Sequence, residues 1–331
     1  MKSEMRCAVS YFVTLGLVLV VEGAVAQPTS TGAGGAYPVK PVRIIVPTSP
    51  GGGNDFVARH VGQKLGERLG QQFIVENRPG AGGTIGTAQA ARAAPDGYTL
   101  LLGFVGQLAM SPHVEKGGYD PLKDFVGVSL LASSYHILGV HPSLPVHSVK
   151  QLISFAKARP GELNYASGNI WTPTHLVPEL FKSATGVNIA AIQYKGSGPA
   201  AIGVLTGEAQ VIFGGVTALM SHVRAKRIVA LAVTSPARSP IAPEVPTLVE
   251  LGVRGVEAPS WYSIVAPAAS PTEVIGKLHA GIVTIAARPD YREPLERQAL
   301  EPTTTTPEQF AVFLQAEYDK WGRVIKSLKL Q

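Results

Sequence analysis

The feature that most constrains this chain is an alternation: short β-type apolar runs are separated by segments whose apolar residues recur at helical spacing. Val42-Arg43-Ile44-Ile45-Val46 reads as a strand closed by Pro47. Val57, Val61, Leu65 and Leu69 then lie four apart and form one helical stripe, with Asn54 or Asp55 standing where an N-cap belongs. A strand at Phe73-Ile74-Val75, a helix over 84–94 and a strand over 98–102 follow. This order specifies a parallel sheet with helices on its faces.

The alternation resumes downstream. A helix over 149–158 is closed by Arg159-Pro160-Gly161, and strands at 164–166 and 189–194 flank a helix over 174–185. A helix over 200–205 and strands at 211–213 and 228–233 complete that block, before helices over 271–287, 291–299 and 307–328. Pro307 suits the first turn of the last helix, and Phe310, Phe313, Leu314, Tyr318 and Trp321 form a stripe that reads as core. Two blocks in 331 residues predict an α/β protein of two lobes, each a mainly parallel sheet flanked by helices. Crossings are expected near residues 133–140 and 256–266. That assigns 38–136 and 257–331 to a discontinuous first lobe and 137–256 to the second. A ligand would sit between them, where strand ends and helix N-termini face the cleft.

The N-terminus predicts export. Lys2 and Arg6 precede an almost wholly apolar run over 11–21, and Ala24-Val25-Ala26 supplies the small residues of a cleavage site. Residues 1–26 are therefore expected to be a cleaved signal peptide, with the mature chain beginning at Gln27 in the periplasm. The rival, an uncleaved anchor, needs a run longer than about 11 residues to cross roughly 30 Å of hydrocarbon. Residues 27–37 (QPTSTGAGGAY) form a flexible, glycine-rich leader. The single cysteine, Cys7, lies in the signal, so the mature chain has no disulfide, thiolate nucleophile or cysteine metal site.

Charge narrows the partners. The net charge of +6 is scattered, without the Lys/Arg stripe that nucleic acid requires. A mild positive field suits a small anion.

Four strand-to-helix loops are candidates for chemistry. In the first, Pro47 to Asp55, glycines allow close backbone approach and a helix start offers free N–H groups to a carboxylate. Asp55 itself would cap the helix or bind an ammonium group, not an acid. The second, Gly80 to Gly86, superficially resembles a dinucleotide fingerprint. It lacks an acidic residue about 20 positions on and reads as a structural turn. The third, Ser167 to His175, offers hydroxyls at a helix start, with His175 in a structural role. The fourth, Tyr194 to Pro199, places Lys195 where it could meet an anion or lie in solvent. No HExxH, GxSxG, Walker or paired-histidine spacing is present, and no cofactor, metal or catalytic residue is expected.

In order, YPVKPVRIIVP (from Tyr37), PGGGND (Pro50), VENRPGAGGTIG (Val75), APDGYTLLLG (Ala94), DPLKDFVGVSLL (Asp120), KARPGELNYAS (Lys157), HLVPELF (His175), YKGSGPA (Tyr194), LAVTSPARSPIAPEVPT (Leu231), WYSIVAPAASP (Trp261) and KWGRVIK resemble one family across essentially the whole mature chain. It is the periplasmic solute receptors of tripartite tricarboxylate transporters, the Bug receptors. The resemblance implies a type II-like periplasmic binding protein that closes over a small organic acid and delivers it to membrane permease subunits, as a monomer. A sensory receptor signalling to a membrane kinase would have the same fold. An exported α/β hydrolase would need a nucleophile and base that the sequence does not show. Carried over by position, the ligand-binding residues are Ser49, Gly51, Gly52 and Asp55 in the first lobe. In the second they are Ser167, Asn169, Trp171, Thr172, Thr174 and Lys195.

Departures from the pattern fall in two places. Asn169 and Trp171 stand where small residues are usual, and Trp171 either stacks on a flat ligand or faces outward. Gly214 stands where members often carry Asp, which argues against an amino-acid ligand.

Overall fold

The computed structural model describes residues 37–168 and 170–328. The expected signal peptide, Cys7, all of the leader but Tyr37, and Asn169 lie outside the described residues.

The first block folds as β1 (Val42–Val46), α1 (Gly53–Leu69), β2 (Phe73–Asn77), α2 (Thr84–Ala91) and β3 (Thr99–Phe104). Val57, Val61 and Leu65 of α1 are fully buried, so the stripe read at four-residue spacing is the face laid on the sheet. The start of α1 differs from expectation. Gly52, in extended conformation, is the N-cap; Asn54 and Asp55 fall inside the first turn. Asp55 instead reaches back to accept a hydrogen bond from the Gly51 N–H at 3.1 Å.

Next come β4 (Phe125–Ser134) and β5 (His136–Val140), separated only by Tyr135. The second block follows: α3 (Val149–Ala158), β6 (Asn164–Ser167), α4 (Pro173–Thr185), β7 (Ala190–Gln193), α5 (Ser197–Leu205), β8 (Val211–Gly215), α6 (Val216–Arg224) and β9 (Val229–Val233). The chain returns through β10 (Ser260–Pro267) and ends in α7 (Thr272–Ala286), α8 (Pro289–Glu296), β11 (Glu301–Pro302) and α9 (Pro307–Leu328).

Two sheets result, ordered β11-β4-β10-β3-β1-β2 and β7-β6-β8-β5-β9, and each is the floor of one lobe. Both are mixed rather than mainly parallel. β1 pairs in parallel with β2 and β3, and β6 with β7 and β8, as the βαβ alternation requires. The strands adjoining the crossings run the other way. β10 is antiparallel to β3 and β4, and β5 is antiparallel to β8 and β9. Among the described residues two crossings join the lobes, and the strands beside them enter each sheet from the opposite end.

β4 and α6 carried weak sequence signals. β4 (FVGVSLLASS) is almost wholly buried, yet Gly127 and Ser129 interrupt its apolar run. Gly127 is there for space: a Cβ would stand 2.0 Å from the Phe310 ring of α9. The α9 stripe packs as read except at Tyr318, which is half-buried against the His113 ring at 4.1 Å. Phe310, Leu314 and Trp321 are buried, and Phe313 lies against the Trp261 ring at 5.4 Å. Glu317 accepts from both indoles, Trp261 Nε1 at 3.0 Å and Trp321 Nε1 at 3.3 Å, tying α9 to β10. Among the described residues no helix is long and apolar enough to cross a membrane.

Candidate functional site

Between the lobes lies a cleft of about 120 Å³, of the order of the ~150 Å³ that accommodates a benzene ring. Four helices of the described residues begin at its wall: α1 at Gly52–Gly53, α4 at Thr172–Pro173, α5 at Gly196–Ser197 and α6 at Gly215. First-turn N–H groups have no intrahelical acceptor, and each helix start carries roughly half a positive charge. Three of the four N-caps are glycines, which leaves those N–H groups open to an incoming anion. Lys195 also lines the cleft, and the described lining contains no aspartate or glutamate. The arrangement favours a small anion.

Each glycine of the first loop answers a different demand. Gly51 has φ +87°, a left-handed conformation that side chains disfavour. A Cβ on Gly52 would meet nothing within 4 Å, so this position opens to the cleft. A Cβ on Gly53 would stand 2.7 Å from Tyr262 Oη, whose ring reaches from β10 to the start of α1. The loop is held from behind. Asp55 accepts from Arg59 Nη2 at 2.9 Å, Asn77 Nδ2 at 3.0 Å and the Gly51 N–H at 3.1 Å. Burial raises the Asp55 pKa, but these bonds outweigh it and hold the carboxyl below its usual range.

In the second lobe the support is neutral. Thr174 Oγ1 accepts from the Gly168 N–H at 2.9 Å and lies 2.9 Å from Thr172 Oγ1. The Tyr194 N–H donates to Ser167 O at 2.8 Å and the Gly196 N–H to Gly168 O, joining the third and fourth loops. Gly168 is packed so closely that a Cβ would lie 3.0 Å from the backbone of Gly196 and Ser197. Behind them His175 Nδ1 accepts from the Trp171 N–H at 3.4 Å. Burial lowers the His175 pKa; Glu179 opposes this and Lys182 reinforces it.

The floor comes from the strands that adjoin the crossings. His136 opens β5 and Ser260 opens β10; both line the cleft, with His136 Nε2 3.4 Å from Ser260 Oγ. Burial pushes the His136 pKa down to about 4, partly offset by the Ala258 backbone, so the ring is neutral near pH 7.

The family model for the tripartite tricarboxylate transporter family receptor matches residues 57–330. The chain belongs to that receptor family. It is 36% identical over 315 residues to protein BugT of Bordetella pertussis, covering 93% of this chain and 94% of that protein. A Rhodopseudomonas palustris relative solved with adipate superposes with a TM-score of 0.85 at 35% identity, over 88% of this chain and 98% of the other. The periplasmic binding protein BugD gives 0.84 at 31% identity, over 89% and 99%. MatC from R. palustris with bound malate gives 0.82 at 27%, over 87% and 100%. The family is one of periplasmic solute-binding receptors that work with tripartite transporters.

Among the family-based positions, the structure brings Ser49, Gly52, Thr172, Thr174 and Lys195 into the cleft wall. Gly51, Asp55, Ser167 and Trp171 lie outside that lining, and Asn169 is outside the described residues. Asp55 faces the back of its loop. Trp171, with φ +57°, lies edge-on to the His175 ring at 5.6 Å. Gly214 is not in the lining either: a Cβ there would meet the Leu219 side chain at 2.6 Å, whereas Gly215 beside it opens to the cleft. A described lining without carboxylates disfavours an amine-bearing ligand, and Gly214 has no part in it. Residues missed in the sequence include Phe104, His136, Ser260 and Tyr262. Phe104 closes β3, His136 and Ser260 open the strands that follow the crossings, and Tyr262 lies two residues further along β10, so a rule that weighted strand ends facing the cleft would have found the first three.

Proposed function

We propose that this chain captures a small organic acid in the interlobe cleft, closes on it, and presents it to the membrane subunits of a tripartite transporter. One observation carries this reading: four helix N-termini and Lys195 converge on a cleft whose described lining holds no carboxylate. Adipate and malate, found in the two R. palustris relatives, set the chemical class, though not the identity, of the acid. Of the family-based positions, Ser49, Gly52, Thr172, Thr174 and Lys195 contact the acid. Gly51, Asp55, Ser167 and Trp171 support their loops from behind.

The lobes divide at Tyr135 and between β9 and β10, and the chain works without catalysis, outside the inner membrane, after loss of residues 1–26. Capture drives closure because the acid touches both lobes at once. Moving a population from mostly open to mostly closed takes roughly 5 kcal/mol of preference for the closed form. Two or three charge-assisted hydrogen bonds of about 1.5–3 kcal/mol each supply it.

A thermal-shift panel of the protein from Gln27 onward, with carboxylic acids and their amides, tests the reading. An acid at about 100 times its dissociation constant adds roughly 2.7 kcal/mol, and its amide adds little. If protein freed of bound ligand by unfolding and refolding responds to none of the acids, the reading fails.

A further inference from the structure

Resting on the carboxylate reading above, we propose that His136 and Ser260 form a neutral hydrogen-bonding subsite on the cleft floor that selects acids carrying a hydroxyl or oxo group over their plain alkyl counterparts. Both residues belong to the cleft wall and both come from strands beside a crossing, apart from the helix starts that face the anion. His136 lies opposite Gly215 in the β5–β8 register, and Gly215 has open space where a side chain would project. A ligand anchored at the start of α6 therefore has the His136–Ser260 pair beside it.

The pair has unused hydrogen-bonding capacity. At 3.4 Å the contact between His136 Nε2 and Ser260 Oγ is at the outer limit of a hydrogen bond. His136 is only 2% exposed, and Nε2 is the ring nitrogen turned toward Ser260. A neutral imidazole has one donor and one acceptor nitrogen, and a serine hydroxyl has one donor and two acceptor sites. The backbone of His136 is fixed, since its N–H donates to Thr234 Oγ1 at 3.0 Å and its carbonyl accepts from the Thr234 N–H at 2.9 Å. Burial of the side chain on this fixed backbone holds the ring in place. A hydroxyl or oxo oxygen beside the pair can bond to both Nε2 and Oγ; a methylene there leaves them only their 3.4 Å contact with each other.

The nearby groups suit a neutral contact. Lys195 is the one formally charged residue in the described lining, and Tyr262 is uncharged, its pKa raised by burial with Ser134 partly offsetting. Glu257, close in sequence to Ser260, turns its carboxylate to the Gly255 N–H at 2.7 Å. The floor thus reads an uncharged oxygen while the helix starts and Lys195 hold the carboxylate.

Matched pairs test this: lactate and pyruvate against propionate, malate against succinate, and 2-hydroxyglutarate against glutarate, by calorimetry on the protein from Gln27 onward. In any pair that binds, the oxygenated member is expected to bind on the order of ten-fold more tightly. Ser260→Ala should reduce that ratio several-fold. His136→Phe, which keeps the ring shape without its nitrogens, provides a second variant. Because the readout is a ratio, a general loss of folding moves both members together and does not imitate the effect. Equal binding within pairs overturns the subsite, as does an equal loss of both members in the variants. If no acid binds, the carboxylate reading itself fails and takes the subsite with it.

Discussion

The two lobes present helix starts to the same cleft but hold their loops by opposite means. In the first lobe the loop before α1 is pinned by charge. Asp55 gathers the Gly51 N–H, Arg59 and Asn77, and Asn77 also donates to Thr48 O at 3.2 Å. In the second lobe the loops before α4 and α5 are joined by hydroxyls, glycine contacts and a neutral histidine. In the first lobe the supporting carboxylate lies outside the cleft lining, whereas in the second the supporting hydroxyls of Thr172 and Thr174 are themselves part of it. The difference shows that a carboxylate at a binding loop can be scaffold rather than contact, and that only its partners reveal which.

The largest effect that would break this comparison is expected at Asp55. Asp55→Ala strands the Gly51 N–H, Asn77 and Arg59 and should cost roughly 2–3 kcal/mol, read as a fall in the denaturation midpoint together with weaker acid binding. Thr174→Val, its counterpart, leaves the Gly168 N–H unpaired and should cost about 1–2 kcal/mol. If the second loss equals or exceeds the first, the charged support is no stronger than the neutral one.

Acid should separate the lobes in time. His175 has its folded pKa below the ordinary 6.5, so the unfolded chain binds more protons on acidification. Its contribution is fully present above about pH 6.5 and is lost as pH falls toward its folded value. Asp55 also has a lowered pKa, but relative to 3.8, so its contribution persists until pH falls below about 4. Hydrogen exchange, corrected for intrinsic rates, should therefore show residues 167–175 loosening before residues 47–59 as pH falls from 7 to 3. Simultaneous loosening would mean that His175 does not support the third loop. His136, with a folded pKa of about 4, lowers global stability over the same window as His175, so a segment-level measurement is needed.

The smallest effects on stability are expected at the two open glycines. Gly52→Ala and Gly215→Ala place a methyl where nothing lies within 4 Å, at ordinary backbone angles. Both should keep their stability within about 0.5 kcal/mol while weakening acid binding, since the methyl projects toward the cleft. Gly53→Ala sharpens the contrast: its Cβ meets Tyr262 Oη, and overpacking there should cost about 1–3 kcal/mol.

Periodicity alone made most of the architecture legible. The stripe of Val57, Val61 and Leu65, the α9 stripe and the strand–helix alternation depend on contacts repeated along each element, and such local repetition shows in a linear pattern. The strand-to-helix loops were visible for the same reason, as glycine and hydroxyl clusters at element boundaries. Strand direction beside the crossings, and which face of each loop lines the cleft, were not. Asp55 turns away because Arg59 and Asn77 wait behind it, the latter 22 residues along the chain. Gly53 is required by Tyr262 more than 200 residues away, and His136 meets Ser260 across 124 residues. The sequence by itself determined the elements and the loops, because those follow from short-range spacing. The tertiary structure alone decided the cleft, because a binding surface consists of groups brought together over distances at which sequence spacing carries no orientation.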